Sequence, residues 1–214
     1  MTPPWADIIT VLTVFTLAII SPGPNFLLVL NRTMIDSRRT GIFTALGVAT
    51  GSGLFALAGM LGLILLISTL PHFSDISRYI GGTYLAWMGI GMLRSTLTSR
   101  ANKDSGIKAD RESKSALQAY RTGLFTNLTN PKAWAFYLSL FVLIVSPSIP
   151  VWGKILLTFA MFLISLFWYA TVAVLISNNL VRPIFMRVQI FIQGGVGLLL
   201  IWLGGSLFFW GCPR

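Results

Sequence analysis

Six stretches of this chain are each long and apolar enough to cross a lipid bilayer, which leaves the backbone few ways to fold. In hydrocarbon every N–H and C=O must be satisfied by the chain itself, so a spanning segment is a helix or a strand of a closed barrel. About 20 apolar residues make one helical crossing. The stretches run roughly over residues 6–30, 41–69, 76–97, 120–145, 152–177 and 188–210. Hydrophobic residues make up 55% of the chain and charged residues 10%, against about a quarter charged in a soluble domain. The expected fold class is an all-α integral membrane protein with six transmembrane helices.

Two of the six spans are interrupted. The first contains Ser21-Pro22-Gly23-Pro24-Asn25, and the fourth contains Asn127-Leu128-Thr129-Asn130-Pro131-Lys132. Proline has no N–H and clashes with the preceding turn, so Pro22 and Pro24 break a helix, with Gly23 as a flexible joint between them. Pro24 and Pro131 each suit the first position of a new helix, and Asn130 suits the N-cap before it. A helix starting at either point presents free N–H groups and the positive end of a dipole, a ready site for an anion. Broken backbone at membrane depth is tolerated only where it is buried or lines a cavity. A matched pair of breaks in two halves of a chain points to a transporter's binding site. A single proline kink could serve packing alone; two matched breaks flanked by Asn, Thr, Ser and Lys favour a site.

Basic residues set the expected orientation. Arg32, Arg38 and Arg39 follow the first span, and Arg182 and Arg187 follow the fifth. The longest loop carries Arg100, Lys103, Lys108, Arg111 and Lys114, whereas the second and fourth loops carry Arg78 and Lys154 alone. Loops one, three and five are therefore expected in the cytoplasm and both termini outside. The net charge of +10 reads as membrane-loop bias, and no nucleic-acid partner is implied.

The two halves look related. Pro24 falls on Pro131 at an offset of 107 residues; Gly81-Gly82, Leu85 and Gly91 fall on Gly194-Gly195, Leu198 and Gly204 at an offset of 113. Three spans is an odd number, so the second copy would be inserted upside down. The expected organisation is one membrane domain of two inverted three-helix repeats, residues 1–97 and 116–214, joined by a cytoplasmic linker at 98–115.

The candidate substrate-binding residues are Ser21, Pro22, Gly23, Pro24, Asn25, Asn127, Asn130, Pro131 and Lys132. Lys132 stands out because a charge in mid-span costs at least about 2.5–3.5 kcal/mol and faces a cavity or a partner. It either binds a substrate or ion, or ties down the break. Glycines at 47, 51, 53, 59 and 62, and at 81, 82, 89 and 91, suit close helix packing. They would also suit a homo-oligomer. Trp5, Trp152 and Trp210 read as interfacial anchors in contact with lipid. Trp87, Trp134, Trp168, Tyr137 and Tyr169 sit deeper, as packing or as pocket walls.

Absences narrow the function. The acids are Asp7, Asp36, Asp75, Asp104, Asp110 and Glu112, and the only histidine is His72; none lies in mid-span. A metal-cation transporter needs carboxylates or thiolates in its spans. A membrane hydrolase needs a nucleophile and base. Cys212 is the only cysteine. No catalytic residues, metal site or cofactor are expected.

The runs SPGPNFLLVLNRTM, GGTYLAWMGIGMLR and GLFTNLTNPKAWAFYLSLF together resemble the LysE/RhtB family of bacterial amino-acid exporters, over essentially the whole chain. The resemblance implies efflux of an amino-acid substrate across the inner membrane, with proton coupling. Many members carry Asp directly after SPGP; this chain carries Asn25. Without an intramembrane acid a cationic substrate lacks a counter-charge, which favours neutral substrates of the threonine, homoserine or leucine type. A non-transporting assembly or sensor subunit and a passive channel are the alternatives.

Overall fold

A computed structural model of the protein describes residues 4–69, 73–98, 115–143 and 149–209. The central loop, His72, Cys212 and Trp210 lie outside the described residues. Everything described is helix or short connection. The helices are α1 (Pro4–Ile20), α2 (Pro24–Ile35), α3 (Arg38–Thr69), α4 (Phe73–Thr98), α5 (Ala116–Leu128), α6 (Pro131–Leu143), α7 (Val151–Ile176) and α8 (Arg182–Phe209).

Among the described residues, α3, α7 and α8 each contain a stretch long and apolar enough to cross a membrane. The pair α1 and α2 passes the same test together, bent by 52° at the Ser21–Gly23 break. Both expected interruptions are present: α2 starts at Pro24 and α6 at Pro131. Ser115 and Gln118 close a capping box at the start of α5, each side chain bonding the other's backbone N–H, so this helix has a sharp start after the central loop.

Small residues decide which helices touch. A Cβ added at Gly47 would run into the Tyr120 carbonyl of α5, and one at Gly123 into the Thr44 carbonyl of α3. The α3 and α5 backbones are thus in contact, as the glycine pattern predicts. The same device joins α4 to α8: a Cβ at Gly89 would lie 2.5 Å from the Gly197 carbonyl oxygen, and one at Gly204 2.5 Å from that of Gly82. The α4–α8 pair is joined to the remaining helices chiefly through α6, and α3 packs along α7.

The apolar side chains form two clusters. One holds Phe15, Phe55, Leu85, Met88, Phe136, Tyr137, Leu140 and Leu200, from α1, α3, α4, α6 and α8. The other holds Phe26, Val29, Val48, Tyr169 and Val172, from α2, α3 and α7. The two helix breaks, with the buried polar residues Ser21, Asn127 and Asn130, fall where these clusters meet.

Candidate substrate-binding site

The breaks converge although they lie more than 100 residues apart in sequence. The Lys132 ammonium donates to Ser21 Oγ at 3.2 Å, linking the start of α6 to the end of α1. Asn25 Nδ2 donates to Asn127 Oδ1 at 3.1 Å, and Asn130 Nδ2 donates to Asn25 Oδ1 at 3.4 Å. The Lys132 backbone N–H donates to Asn130 Oδ1 at 3.0 Å, so Asn130 caps α6 as its position before Pro131 implies. The three amides form one directional chain in which each carbonyl accepts and each NH2 donates.

Asn127 anchors this chain to α3. Its Nδ2 donates to the Val48 carbonyl at 2.6 Å and to Ser52 Oγ at 3.2 Å. Ser52 Oγ in turn lies 3.0 Å from Ser165 Oγ of α7. Gly51 makes room for this arrangement, because a Cβ there would lie 2.9 Å from Asn127 Nδ2. Both N–H groups of Asn127 are therefore engaged within the protein. Asn127 thus ties α5 to α3 while also lining the cavity described below.

Gly23 has a different reason from the one read in the sequence. Its φ of −147° is extended backbone open to any residue, so no special flexibility is used. What it supplies is space: a Cβ would sit 3.2 Å from Lys132 Nζ. Pro22 and Pro24 line the space beside it, and Pro131 starts α6. Trp134 stabilises the second break, donating from Nε1 to the Leu128 carbonyl at 2.6 Å across the gap between α5 and α6. Tyr84 of α4 donates to the Lys132 carbonyl at 3.0 Å.

These residues surround a small cavity of about 50 Å³, enough for a few waters or a carboxylate. Its polar lining is Ser21, Asn25, Ser52, Asn127, Asn130 and Lys132; Tyr137, Phe136, Tyr169 and Met88 close it. Among the described residues no carboxylate lies against Lys132, and no group of three or more His, Cys, Asp or Glu side chains could hold a metal ion. The site thus presents one cation, several neutral hydrogen-bonding groups and an apolar wall, a chemistry suited to an anion or a zwitterion. Sequence reasoning pointed to Tyr137 and Tyr169 as wall candidates but missed Ser52 and Ser165, since a serine in a glycine-rich span carries no distinguishing local signal.

Comparison with known proteins decides the family. Residues 16–210 match the LysE type translocator family. The chain belongs to that family. The LysE-type assignment rests on nearly its full length, and it makes the protein a membrane transporter and not an enzyme. The threonine efflux protein of Escherichia coli K12 is 32% identical over 200 residues, covering 92% of this chain and 94% of the relative. The threonine efflux protein of Salmonella typhimurium LT2 is 33% identical, covering 91% and 94%. The uncharacterized membrane protein YahN of Escherichia coli K12 is 28% identical, covering 82% and 77%. No solved structure matches the chain.

Proposed function

We propose that this LysE-type translocator exports neutral amino acids across the bacterial inner membrane by alternating access. The observation that carries the proposal is the Lys132 ammonium, held by Ser21 in a cavity where both helix breaks meet. The substrate carboxylate binds the Lys132 ammonium at the positive end of the α6 dipole; the Lys132 backbone N–H is already taken by the Asn130 cap. The substrate amine is held beside Asn25 and the carbonyls at Ser21 and Pro22, the Gly23 carbonyl being taken by the Leu27 N–H. The names of the threonine efflux relatives support an amino-acid cargo. Among the described residues no carboxylate lines the cavity, which supports a neutral one.

The transport cycle follows from an inverted repeat of two three-helix units, residues 1–97 and 116–214. Two features support the repeat. The breaks recur with the same grammar, and Ser52 and Ser165, hydrogen-bonded to each other, are related by the same 113-residue offset that superposes the third and sixth spans. Rocking of one unit against the other would open the central site to each side in turn. The proton gradient is the proposed energy source, and both termini face outward.

The test is release from cells loaded with a mixture of dipeptides, expressing wild type, Lys132→Ala or Pro131→Ala at matched membrane levels. The expected result is faster release of one or a few neutral amino acids by wild type alone. Equal release by all three proteins would refute the site. Release no faster than from empty cells, with properly inserted protein, would refute export of amino acids.

A further inference from the structure

A second hollow of about 530 Å³ adjoins the cavity at the helix breaks. Gly23, Pro24, Met88 and Lys132 line both spaces. Beyond them the wall is made by Tyr84, Trp87, Gly91 and Met92 of α4, with Gln193 from α8. The hollow exists because α4 and α8 pack tightly on each other through glycine. Among the described residues neither helix packs against α2 or α5.

The two spaces differ in chemistry. The small one holds the larger share of polar groups and cannot enclose a whole amino acid. The large one has the size of a small-molecule pocket and a predominantly apolar wall. Two of its polar groups already donate within the protein: the Tyr84 hydroxyl to the Lys132 carbonyl at 3.0 Å, and Gln193 Nε2 to the Met92 carbonyl at 3.3 Å. A substrate hydroxyl placed there would lose water and gain few partners, which is unfavourable. A large apolar side chain would lose water at no such cost.

We propose that the hollow receives the substrate's side chain while Lys132 holds its carboxylate, so that the transporter selects large apolar amino acids of leucine, methionine or phenylalanine size over threonine and homoserine. This rests on the exporter reading above and sharpens it. The wall it shares with the cavity, Lys132 included, is what commits the hollow to substrate and not to a lipid tail. An acyl chain has no use for a cation at its inner end. Met88 stands at the junction, where a substrate's Cβ would pass from one space to the other.

Gly91 offers a clean test. A Cβ there meets nothing within 4 Å, so the side chain of Gly91→Leu starts in open space at the wall of the hollow. Replacing a helical glycine also favours the helix. Gly195, on α8, is equally open but does not line the hollow, and Gly195→Leu serves as the control.

Cells loaded with dipeptides of leucine, methionine, phenylalanine, threonine and homoserine would be assayed for release of each amino acid. Wild type should release the large apolar set at least roughly tenfold faster than threonine, the discrimination expected for a few buried methylenes. Gly91→Leu should lower the ratio of leucine to threonine release by roughly tenfold, and Gly195→Leu should leave it as in wild type. A wild-type preference for threonine would overturn the side-chain assignment while leaving the exporter intact. So would an unchanged ratio in Gly91→Leu where Lys132→Met still abolishes release, the pattern expected of a hollow filled by lipid. Release of none of the five by inserted wild type would instead overturn export itself.

Discussion

Replacing Lys132 with methionine should separate binding from stability, because the two effects have opposite signs. The change keeps an unbranched side chain one atom shorter and removes its charge. In the free protein it costs the charge-assisted bond from Nζ to Ser21 Oγ at 3.2 Å, about 1.5–3 kcal/mol. It also removes an ammonium that the six-span proposal puts in mid-span, with no carboxylate against it among the described residues, which on that proposal relieves about 2.5–3.5 kcal/mol of insertion cost. The melting temperature of Lys132→Met should therefore hold or rise. Substrate binding loses a charge-assisted hydrogen bond to a carboxylate, about 2 kcal/mol, or roughly 30-fold in affinity. Counterflow in proteoliposomes at graded concentrations of labelled leucine gives the affinity, and thermal unfolding in detergent gives the stability. A half-saturating concentration within twofold of wild type would refute carboxylate binding at Lys132. A melting temperature that falls in step with transport would show that Lys132 ties the break together and does nothing more.

Asn127→Ala removes bonds to Val48, Ser52 and Asn25 together. At about 0.6–1 kcal/mol each in a membrane protein interior, thermal or chemical unfolding should show a loss of about 2–3 kcal/mol. Gly123→Val drives a side chain into the α3 backbone at Thr44 and Val48, which cannot step aside; folded yield by fluorescence-detected gel filtration should collapse, while Gly195→Ala, facing open space, should express like wild type. Ser105→Cys in a Cys212→Ser background should react with a membrane-impermeant maleimide only after cells are permeabilised. Labelling of intact cells would invert the assigned orientation.

The helix breaks were legible because their causes are local. Pro24 and Pro131 begin helices wherever they are placed beside extended backbone, and Asn130 caps the helix that follows from its own position alone. The close glycine contacts of α3 with α5 and of α4 with α8 could be anticipated as a tendency, but which helix each glycine row meets could not. Gly23 is the instructive case. Between two prolines it reads as a hinge, yet its backbone is ordinary and its lack of a side chain serves Lys132, 109 residues away in the chain. Ser52 was passed over for the matching reason: its importance lies in touching Asn127 and Ser165, not in anything near it in sequence.

By itself the sequence determined that the chain lives in a membrane, where its helices are interrupted, and which family it resembles. In hydrocarbon each segment must satisfy its own backbone, so hydropathy and proline act segment by segment and can be read without a partner. Tertiary structure alone decided that Asn127 is an anchor, that Lys132 rests on Ser21, and that an apolar hollow opens beside the polar cavity. Those facts depend on how closely separate helices approach, and that distance is set by interlocking small residues on different segments rather than by any one segment's composition.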